Sequence, residues 1–255
     1  MSAPRTIERL RPRYVETINP VASLGFIGLA TDRASFRDFS DFVAPFAGVA
    51  AHATRIPFVE EATPETLAAM GDHLKGGAAM LVPGQPLQSI SFSCTSGTIA
   101  IGTDRVRREI NSIRPESVVA TPIEAAVEAL RLLKCPRLSL LVPYLISTTQ
   151  MVADYFETAG FQLDRIATFD LGGDPDMNRV DAECIYEAGI ALCDKQCDAL
   201  FISCTGWRTF AVIDRLEKAL GRPVVSSNQA LAWKALRSAG VTAKVYGQGR
   251  LFAEH

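Results

Sequence analysis

Short continuous runs of apolar residues alternate along the chain with longer segments in which apolar residues recur every three or four positions. Continuous runs are typical of parallel strands buried on both faces, and the longer spacing is typical of amphipathic helices. The alternation predicts an α/β fold with a parallel sheet covered by helices on both faces. The predicted strands are 24–30, 48–55, 89–94, 117–121, 137–142, 161–169, 199–204 and 223–227. The predicted helices are 64–79, 98–113, 123–134, 148–159, 182–195, 209–220 and 228–239, and the clearest predicted loop is 172–176.

The two halves of the chain resemble each other in sequence. The segment 118–126 aligns with 224–232 at an offset of 106 positions, and Ser-Cys-Thr recurs at an offset of 110. Any two α/β segments share part of such a pattern, but a duplicated doubly wound unit also explains the repeated tripeptide. We therefore predict two similar flavodoxin-like halves related by a pseudo-twofold axis, with the active site between them. The predicted division is a leader at 1–20, a first half at 21–121 plus 228–255, and a second half at 122–227.

The composition is that of an ordinary globular protein. The chain has 255 residues, of which 48% are hydrophobic, and a formal net charge of −2. The sequence has no run rich in Lys and Arg and no apolar stretch of membrane-spanning length, so we expect neither nucleic-acid nor membrane binding. The first 13 residues carry charges of both signs and no apolar signal core, which predicts a cytoplasmic protein with reduced cysteines.

Two cysteines occupy equivalent places in the repeat. Cys94 and Cys204 each end a predicted strand and precede a predicted helix. A thiolate forms most readily beside a helix N-terminus, and ligands of open α/β sheets bind beyond the carboxyl ends of the strands. The pseudo-twofold relation thus predicts a cleft with one sulfur on each wall. The alternative is a pair of structural cysteines, which are common in protein cores.

The residues that follow each cysteine could bind an anion. Backbone N–H groups and hydroxyl groups at the start of a helix can hold a carboxylate. We therefore predict substrate contacts from Thr95, Ser96, Thr205 and Gly206.

Four further polar residues fall near the predicted mouth of the cleft. Asp32 follows the first strand and is either a helix cap or a substrate contact. Tyr144 follows the strand 137–142, where its hydroxyl could donate to a substrate oxygen or pack at the rim. Asn228 begins the last predicted helix. It could cap that helix, or it could contact a ligand, because this position also faces the predicted mouth of the cleft. Asn178 lies in a loop, where a turn is the simpler role.

The sequence lacks the motifs of cysteine-histidine hydrolases, metal sites and nucleotide-binding proteins. His52, His73 and His255 do not end predicted strands, which disfavours a hydrolase that pairs cysteine with histidine. No Cys-x-x-Cys pair or nearby histidine completes a metal site around Cys193 and Cys197. The chain also lacks the glycine-rich phosphate-binding motifs, so we predict neither a nucleotide cofactor nor a metal.

These motifs together resemble the Asp/Glu racemase superfamily, particularly its maleate cis-trans isomerase and arylmalonate decarboxylase branch. The resemblance runs from about residue 24 to residue 252. It rests on Ser-Cys-Thr-Ser-Gly at 93–97, Ser-Cys-Thr at 203–205, Pro-Val-Val-Ser-Ser-Asn-Gln-Ala at 223–230 and Tyr-Gly-Gln-Gly-Arg-Leu-Phe at 246–252. Within the branch, the segments 30–33 and 227–233 are most similar to members named for ectoine utilisation.

The resemblance implies a cofactor-independent isomerase or racemase of a small carboxylic acid, and it allows a homodimer. By position, Cys94 matches the first nucleophile or base, Cys204 the second thiol, Tyr144 an active-site tyrosine and Asn178 a carboxylate-binding asparagine. Decarboxylases of the branch have glycine in place of Cys94, which argues against decarboxylation. Maleate isomerases have an asparagine near Asp32, whose carboxylate would repel a second substrate carboxylate and suit an ammonium or hydroxyl group instead.

Two mechanisms and two rival functions stay open. One thiolate could remove an α-proton while the other thiol returns one to the opposite face, or Cys94 could add to a double bond and leave after rotation. One rival is a decarboxylase-like lyase that protonates an enediolate through Cys204. The other is a protein that binds a small acid without converting it.

Overall fold

The computed structural model describes residues 7–16, 18–19, 21–59, 61–193 and 196–255. The predicted leader at 1–20 lies partly outside the described residues, and its described part, 7–16 and 18–19, forms neither helix nor strand. Among the described residues, no helix is long and apolar enough to cross a membrane.

Eight parallel strands form two four-stranded sheets in the described part of the chain. The first sheet has the order β2-β1-β3-β4, from β1 (Ala22–Leu29), β2 (Val49–Ile56), β3 (Ser89–Phe92) and β4 (Val118–Ala120). The second has the order β6-β5-β7-β8, from β5 (Arg137–Tyr144), β6 (Gln162–Leu171), β7 (Ala199–Ile202) and β8 (Val224–Ser226). The two orders are the same, so the predicted pair of similar α/β halves is confirmed.

Helices cover the strands on both faces. The helices are α1 (Ser35–Val43), α2 (Pro64–Ala69), α3 (Leu74–Met80), α4 (Thr95–Ile101), α5 (Thr103–Asn111), α6 (Pro122–Leu132), α7 (Ile146–Thr158), α8 (Asp174–Met177), α9 (Ala182–Leu192), α10 (Phe210–Leu220), α11 (Ser227–Ser238) and α12 (Arg250–Glu254). Phe26 of β1 packs in a core with Phe39 of α1, whereas its neighbour Ile27 packs in a second core with Leu74 of α3. Successive strand residues therefore bury opposite faces of the sheet.

The last helix of each repeat crosses to the other sheet. α6 follows β4 of the first sheet but packs against β8 of the second, and α11 follows β8 but packs against β3 and β4. The two helices also pack against each other. The predicted first half, 21–121 plus 228–255, includes all of α11 but its first residue, and the predicted second half, 122–227, includes α6, so the crossing of these two helices is consistent with that division. The boundaries of the halves stay a prediction.

Two predicted helices are interrupted. The helix predicted at 64–79 divides into α2, a 3₁₀ turn (Met70–His73) and α3. The helix predicted at 98–113 begins earlier, at Thr95, and breaks at Gly102, whose φ of 87° is open to glycine but strained for other residues. The helix predicted at 182–195 ends at Leu192, and residues 194–195 lie outside the described part.

The predicted strand ends and loop also need correction. The strands predicted to end at Cys94 and Cys204 end two residues earlier, at Phe92 and Ile202. The predicted loop 172–176 contains the start of α8, where a proline in the first turn suits a helix because its missing N–H needs no partner there. The helices α1 and α12 were not predicted from the sequence. In α1, the buried polar residue Asp38 interrupts an otherwise regular apolar spacing.

Candidate active site

Both cysteines line one cavity beyond the carboxyl ends of the two sheets. Cys94 follows β3 and Cys204 follows β7, and they are only 7% and 5% exposed. The apolar lining consists of Leu29, Phe58, Ala62, Leu67 and Met177. The rest of the lining comprises Asp32, Cys94, Thr95, Ser96, Tyr144, Asp174, Cys204, Thr205 and Gly206. Within the described residues, no group of three or more His, Cys, Asp or Glu side chains could hold a metal ion.

The start of α4 holds the Cys94 thiol. Cys94 is the N-cap residue, and its Sγ accepts a hydrogen bond from the Gly97 N–H at 3.2 Å. The Ser96 hydroxyl lies 3.9 Å from the same sulfur. A Cβ on Gly97 would lie 2.8 Å from this sulfur and 2.3 Å from Cε of Met70, so only glycine fits here without displacing a neighbour.

A tight turn after β7 holds the Cys204 thiol. The Cys204 Sγ accepts from the Gly206 N–H at 3.2 Å, and the Cys204 N–H donates to the Ser227 hydroxyl at 3.1 Å. The φ angle of Cys204 is 120°, in a region that residues with a side chain rarely adopt. Such a strained backbone conformation persists only where the surrounding structure enforces it, and it is found most often at functional sites.

The two cysteine loops are hydrogen-bonded to each other's surroundings. The Thr205 hydroxyl donates to the main-chain oxygen of Ser93 at 3.1 Å, and the Thr95 hydroxyl donates to Ser227 Oγ at 2.8 Å. Of the three predicted anion-binding hydroxyls, those of Thr95 and Thr205 therefore donate within the protein. The main-chain N–H groups of Thr95, Ser96 and Thr205 have no acceptor among the described residues, so these groups are the donors left for a ligand.

Tyr144 ends β5 and reaches the second cysteine. Its hydroxyl lies 3.3 Å from Ser203 Oγ, and its side chain lowers the pKa of the Cys204 thiol. Burial raises the pKa of Tyr144 well above its ordinary value, and the nearby Cys204 adds to the rise. Tyr144 is therefore a protonated donor at neutral pH.

Burial dominates the acidity of both thiols. It raises the pKa of Cys94 to about 12, with the carboxylates of Asp174 and Asp32 adding to the rise. Burial and Asp174 raise the pKa of Cys204 well above its ordinary value in the same way. The N–H groups that favour the thiolates are too weak to offset this. The prediction that this loop position favours a thiolate is therefore wrong, because the surroundings raise the pKa of both thiols above the ordinary value of a cysteine.

Two carboxylates enter the cavity from opposite halves. Asp32, 6% exposed, accepts from the N–H groups of Ala34 at 2.9 Å and Ser35 at 3.2 Å and from the Ser35 hydroxyl, so it caps α1 as well as lining the cavity. Asp174, 8% exposed, accepts from the Thr31 hydroxyl. Burial raises the pKa of Asp174, and the nearby Asp32 adds to the rise. The sequence interpretation missed Asp174, because its place after the carboxyl end of β6 indicates nearness to the cavity but not its approach to Asp32.

Asn178 lies behind the cavity and is not part of its lining. Its side-chain oxygen accepts from the Arg33 N–H at 2.7 Å, and its amide nitrogen donates to the main-chain oxygen of Asp174 at 2.6 Å. Asn178 therefore links the loop after β1 to α8.

Asn228 is also outside the lining, in a buried network beneath Cys204. Its amide nitrogen donates to Asp38 at 3.0 Å and to the main-chain oxygens of Thr205 at 3.0 Å and Trp207 at 2.9 Å. The structure thus gives Asn228 a contact with the Cys204 turn and none with the cavity.

The family model described as arylmalonate decarboxylase matches residues 61–252 of the chain. A maleate isomerase of Nocardia farcinica is 26% identical over 82% of this chain and 86% of its own length. An arylmalonate decarboxylase of Bordetella bronchiseptica is 31% identical over 51% of this chain and 55% of its own length.

Solved structures share the fold over nearly the whole chain. The maleate isomerase Iso of Pseudomonas putida S16 has a TM-score of 0.84 at 17% identity, covering 91% of this chain and 98% of its own. A cysteine-to-serine mutant of the Nocardia farcinica maleate cis-trans isomerase, with a covalently bound succinylcysteine intermediate, has a TM-score of 0.84 at 22% identity. That match covers 92% of this chain and 99% of the other.

Proposed function

The chain belongs to the arylmalonate decarboxylase family, and we propose from this premise that it is a cofactor-independent isomerase or racemase of a small carboxylic acid. The observation that carries the proposal is that Cys94 and Cys204 line one buried cavity, each from an equivalent loop of the two similar halves. The maleate isomerase relatives, which align with most of the chain, support isomerisation over other reactions.

A racemase needs an acid and a base on opposite faces of the reacting carbon. In the proposed reaction, one cysteine first loses its proton to solvent; its thiolate then removes the α-proton, and the thiol of the other cysteine donates its proton to the opposite face. One proton is taken and one is given, so each turnover exchanges the protonation states of the two sulfurs. The carbanion is stabilised by the free N–H groups of Thr95, Ser96 and Thr205, and Tyr144 stabilises Cys204 as a thiolate.

A double-bond isomerase would use the same pair differently. Cys94 first loses its proton to solvent, its thiolate adds to one alkene carbon, and the resulting carbanion takes the proton of Cys204. Rotation about the new single bond, return of the proton to Cys204 and departure of the sulfur give the other isomer. The succinylcysteine in the Nocardia farcinica mutant supports this route for an unsaturated diacid.

Decarboxylation is the second candidate, because the family model and one relative carry the decarboxylase name. A lyase would need Cys204 alone to protonate the enediolate that remains after CO₂ leaves. Cys94 would then be dispensable, which separates the two candidates by experiment.

The test compares the wild type with Cys94→Ser, Cys204→Ser and the exposed control Cys184→Ser. Each protein is incubated in D₂O with chiral and unsaturated small acids, and isomers, CO₂ and deuterium incorporation are measured. We expect the wild type and Cys184→Ser to interconvert isomers and each cavity variant to lose at least about a hundredfold in rate. Retained CO₂ release in Cys94→Ser would identify a lyase, and saturable binding without turnover would identify a binding protein.

Three finer assignments belong to the same proposal. The segments 30–33 and 227–233 support a place among the members named for ectoine utilisation. Family similarity supports a homodimer, which light scattering during size-exclusion chromatography would test. A cytoplasmic location stays a prediction.

A further inference from the structure

The described lining of the cavity carries negative side chains. Asp32 and Asp174 line it, and no Lys, Arg or His does so among the described residues. The guanidinium of Arg55 donates to the main-chain oxygens of Leu29 and Asp32. Arg55 is not part of the lining, so a ligand inside the cavity meets the carboxylates directly.

The carboxylates of Asp32 and Asp174 differ in the number of hydrogen bonds that they accept. Asp32 accepts from two N–H groups and a hydroxyl, as a helix cap does. Asp174 accepts from the neutral Thr31 hydroxyl through one oxygen, and no donor among the described residues contacts its other oxygen. A carboxylate that is 8% exposed with one neutral partner is costly to keep charged unless a ligand supplies a further donor.

We infer that the substrate carries a protonated amine, which binds Asp174 beside Asp32, so that the enzyme acts on an amino acid and not on a dicarboxylate or a hydroxy acid. This inference rests on the proposed function of the cavity. An ammonium group supplies the N–H donor that Asp174 lacks, and its positive charge balances the pair of carboxylates. A dicarboxylate would instead add charge of the sign already in excess.

The same charge arrangement couples binding to catalysis. Asp174 and Asp32 raise the pKa of Cys94, and Asp174 raises that of Cys204. An ammonium bound between the carboxylates offsets this repulsion and lowers the pKa of both thiols, which makes the catalytic thiolate easier to form. A substrate dianion would have the opposite effect.

The test measures binding and turnover of matched acids by the wild type, Asp174→Asn and Asp176→Asn. Asp176 is an exposed carboxylate on the same short helix and serves as the control. The probes are aspartate, glutamate and alanine, their hydroxy analogues malate, 2-hydroxyglutarate and lactate, and maleate. Dissociation constants come from calorimetry, and turnover comes from α-proton exchange in D₂O and isomer analysis.

We expect the wild type and Asp176→Asn to bind the best amino acid at least about tenfold more tightly than its hydroxy analogue. Asp174→Asn should lose this preference and bind maleate more tightly than the wild type does. Equal or tighter wild-type binding of hydroxy acids or maleate, or no binding of any amino acid, would overturn the inference. If isomerisation of those other acids depends on Cys94 and Cys204, the proposed function would still stand. Amino-acid binding that depends on Asp174 but gives neither exchange nor isomerisation would support an ammonium site at Asp174, but it would refute the proposed function and, with it, the inference that the amino acid is a substrate.

Discussion

The Thr205 hydroxyl donates to the main-chain oxygen of Ser93 at 3.1 Å, joining the residue after one cavity cysteine to the residue before the other. Thr95 and Ser227 form a second link between the two sides, at 2.8 Å. The relative positions of the two sulfurs therefore depend on hydrogen bonds that neither half can form alone. This is the feature that we expect an isomerase with opposed sulfurs to need most, because small misplacements of reacting groups are costly.

Replacing Thr205 with valine should reduce turnover more than stability. Thr205→Val keeps the side-chain shape but removes the donor to Ser93, which costs about 1 kcal/mol of unfolding free energy. We expect kcat to fall at least about tenfold because the Cys204 turn is released. Thr205→Ser, which keeps the hydroxyl, is the control. Steady-state kinetics and urea unfolding measure both effects, and a wild-type kcat in Thr205→Val would refute the positioning role.

Alanine at Gly97 should disturb the site more than alanine at Gly206. The new Cβ at Gly97 would lie 2.8 Å from the Cys94 sulfur, whereas at Gly206 the nearest atom, the Cys204 sulfur, is 3.4 Å away. We expect Gly97→Ala to lose about 1–3 kcal/mol of stability through overpacking, and Gly206→Ala to unfold like the wild type. Urea unfolding of both variants measures the difference. Equal stability of the two variants would contradict the close contact at Cys94.

The Cys94 thiol should make the protein less stable at alkaline pH. The folded-state pKa of about 12 lies above the ordinary thiol value of 9.0, so unfolded chains lose this proton first as pH rises. The contribution of this thiol to the free energy of unfolding is therefore fully present below about pH 9, and it is lost as the pH rises towards 12. Between pH 9 and 11, the wild type should lose about 2 kcal/mol more unfolding free energy than Cys94→Ser. Urea unfolding at each pH measures this, with the exposed Cys184→Ser as control, and identical pH profiles of wild type and Cys94→Ser would contradict the raised pKa.

Asp38 should be a strong determinant of stability. Its carboxylate accepts from the Thr209 N–H at 3.0 Å and hydroxyl at 2.8 Å, the Phe210 N–H at 3.0 Å and Asn228 at 3.0 Å. Asp38→Asn turns an amide donor towards this set of donors, which should cost about 2–4 kcal/mol. Asp41→Asn, at a partly exposed position where only a surface ion pair with Arg37 is lost, should cost less than about 1 kcal/mol. Similar losses in both variants, measured by urea unfolding, would show that the buried network contributes little.

The two-halved α/β architecture could be predicted from the sequence because its strand and helix patterns occur twice along the chain. Alternating strand and helix signals and the repeated Ser-Cys-Thr predicted two similar halves and brought Cys94 and Cys204 to one cavity. Asn228 could not be assigned in this way, since a residue at a helix start can face a cleft or turn into a buried network. The direction of the thiol pKa shifts could not be predicted from the sequence. It depends on how deeply each sulfur is buried, and burial outweighs the effect of the nearby N–H groups.

Asp174 illustrates a different difficulty. It lies in a segment that contains glycine, proline and aspartate, which is typical of a plain turn. Its approach to Asp32 depends on how the two halves pack, and the Thr31 contact that records this spans 143 positions of the chain. Contacts of that range leave no local pattern in a single sequence.

The most direct test of the two-thiol account is α-proton exchange in D₂O by single-cysteine variants. Cys94→Ser and Cys204→Ser are each given the separate enantiomers of an acid that the wild type racemises. The account predicts that neither variant racemises, and that each exchanges the α-proton of one enantiomer only, with opposite preference. Racemisation by either variant, or exchange of the same enantiomer by both, would contradict an arrangement in which the sulfurs act from opposite faces.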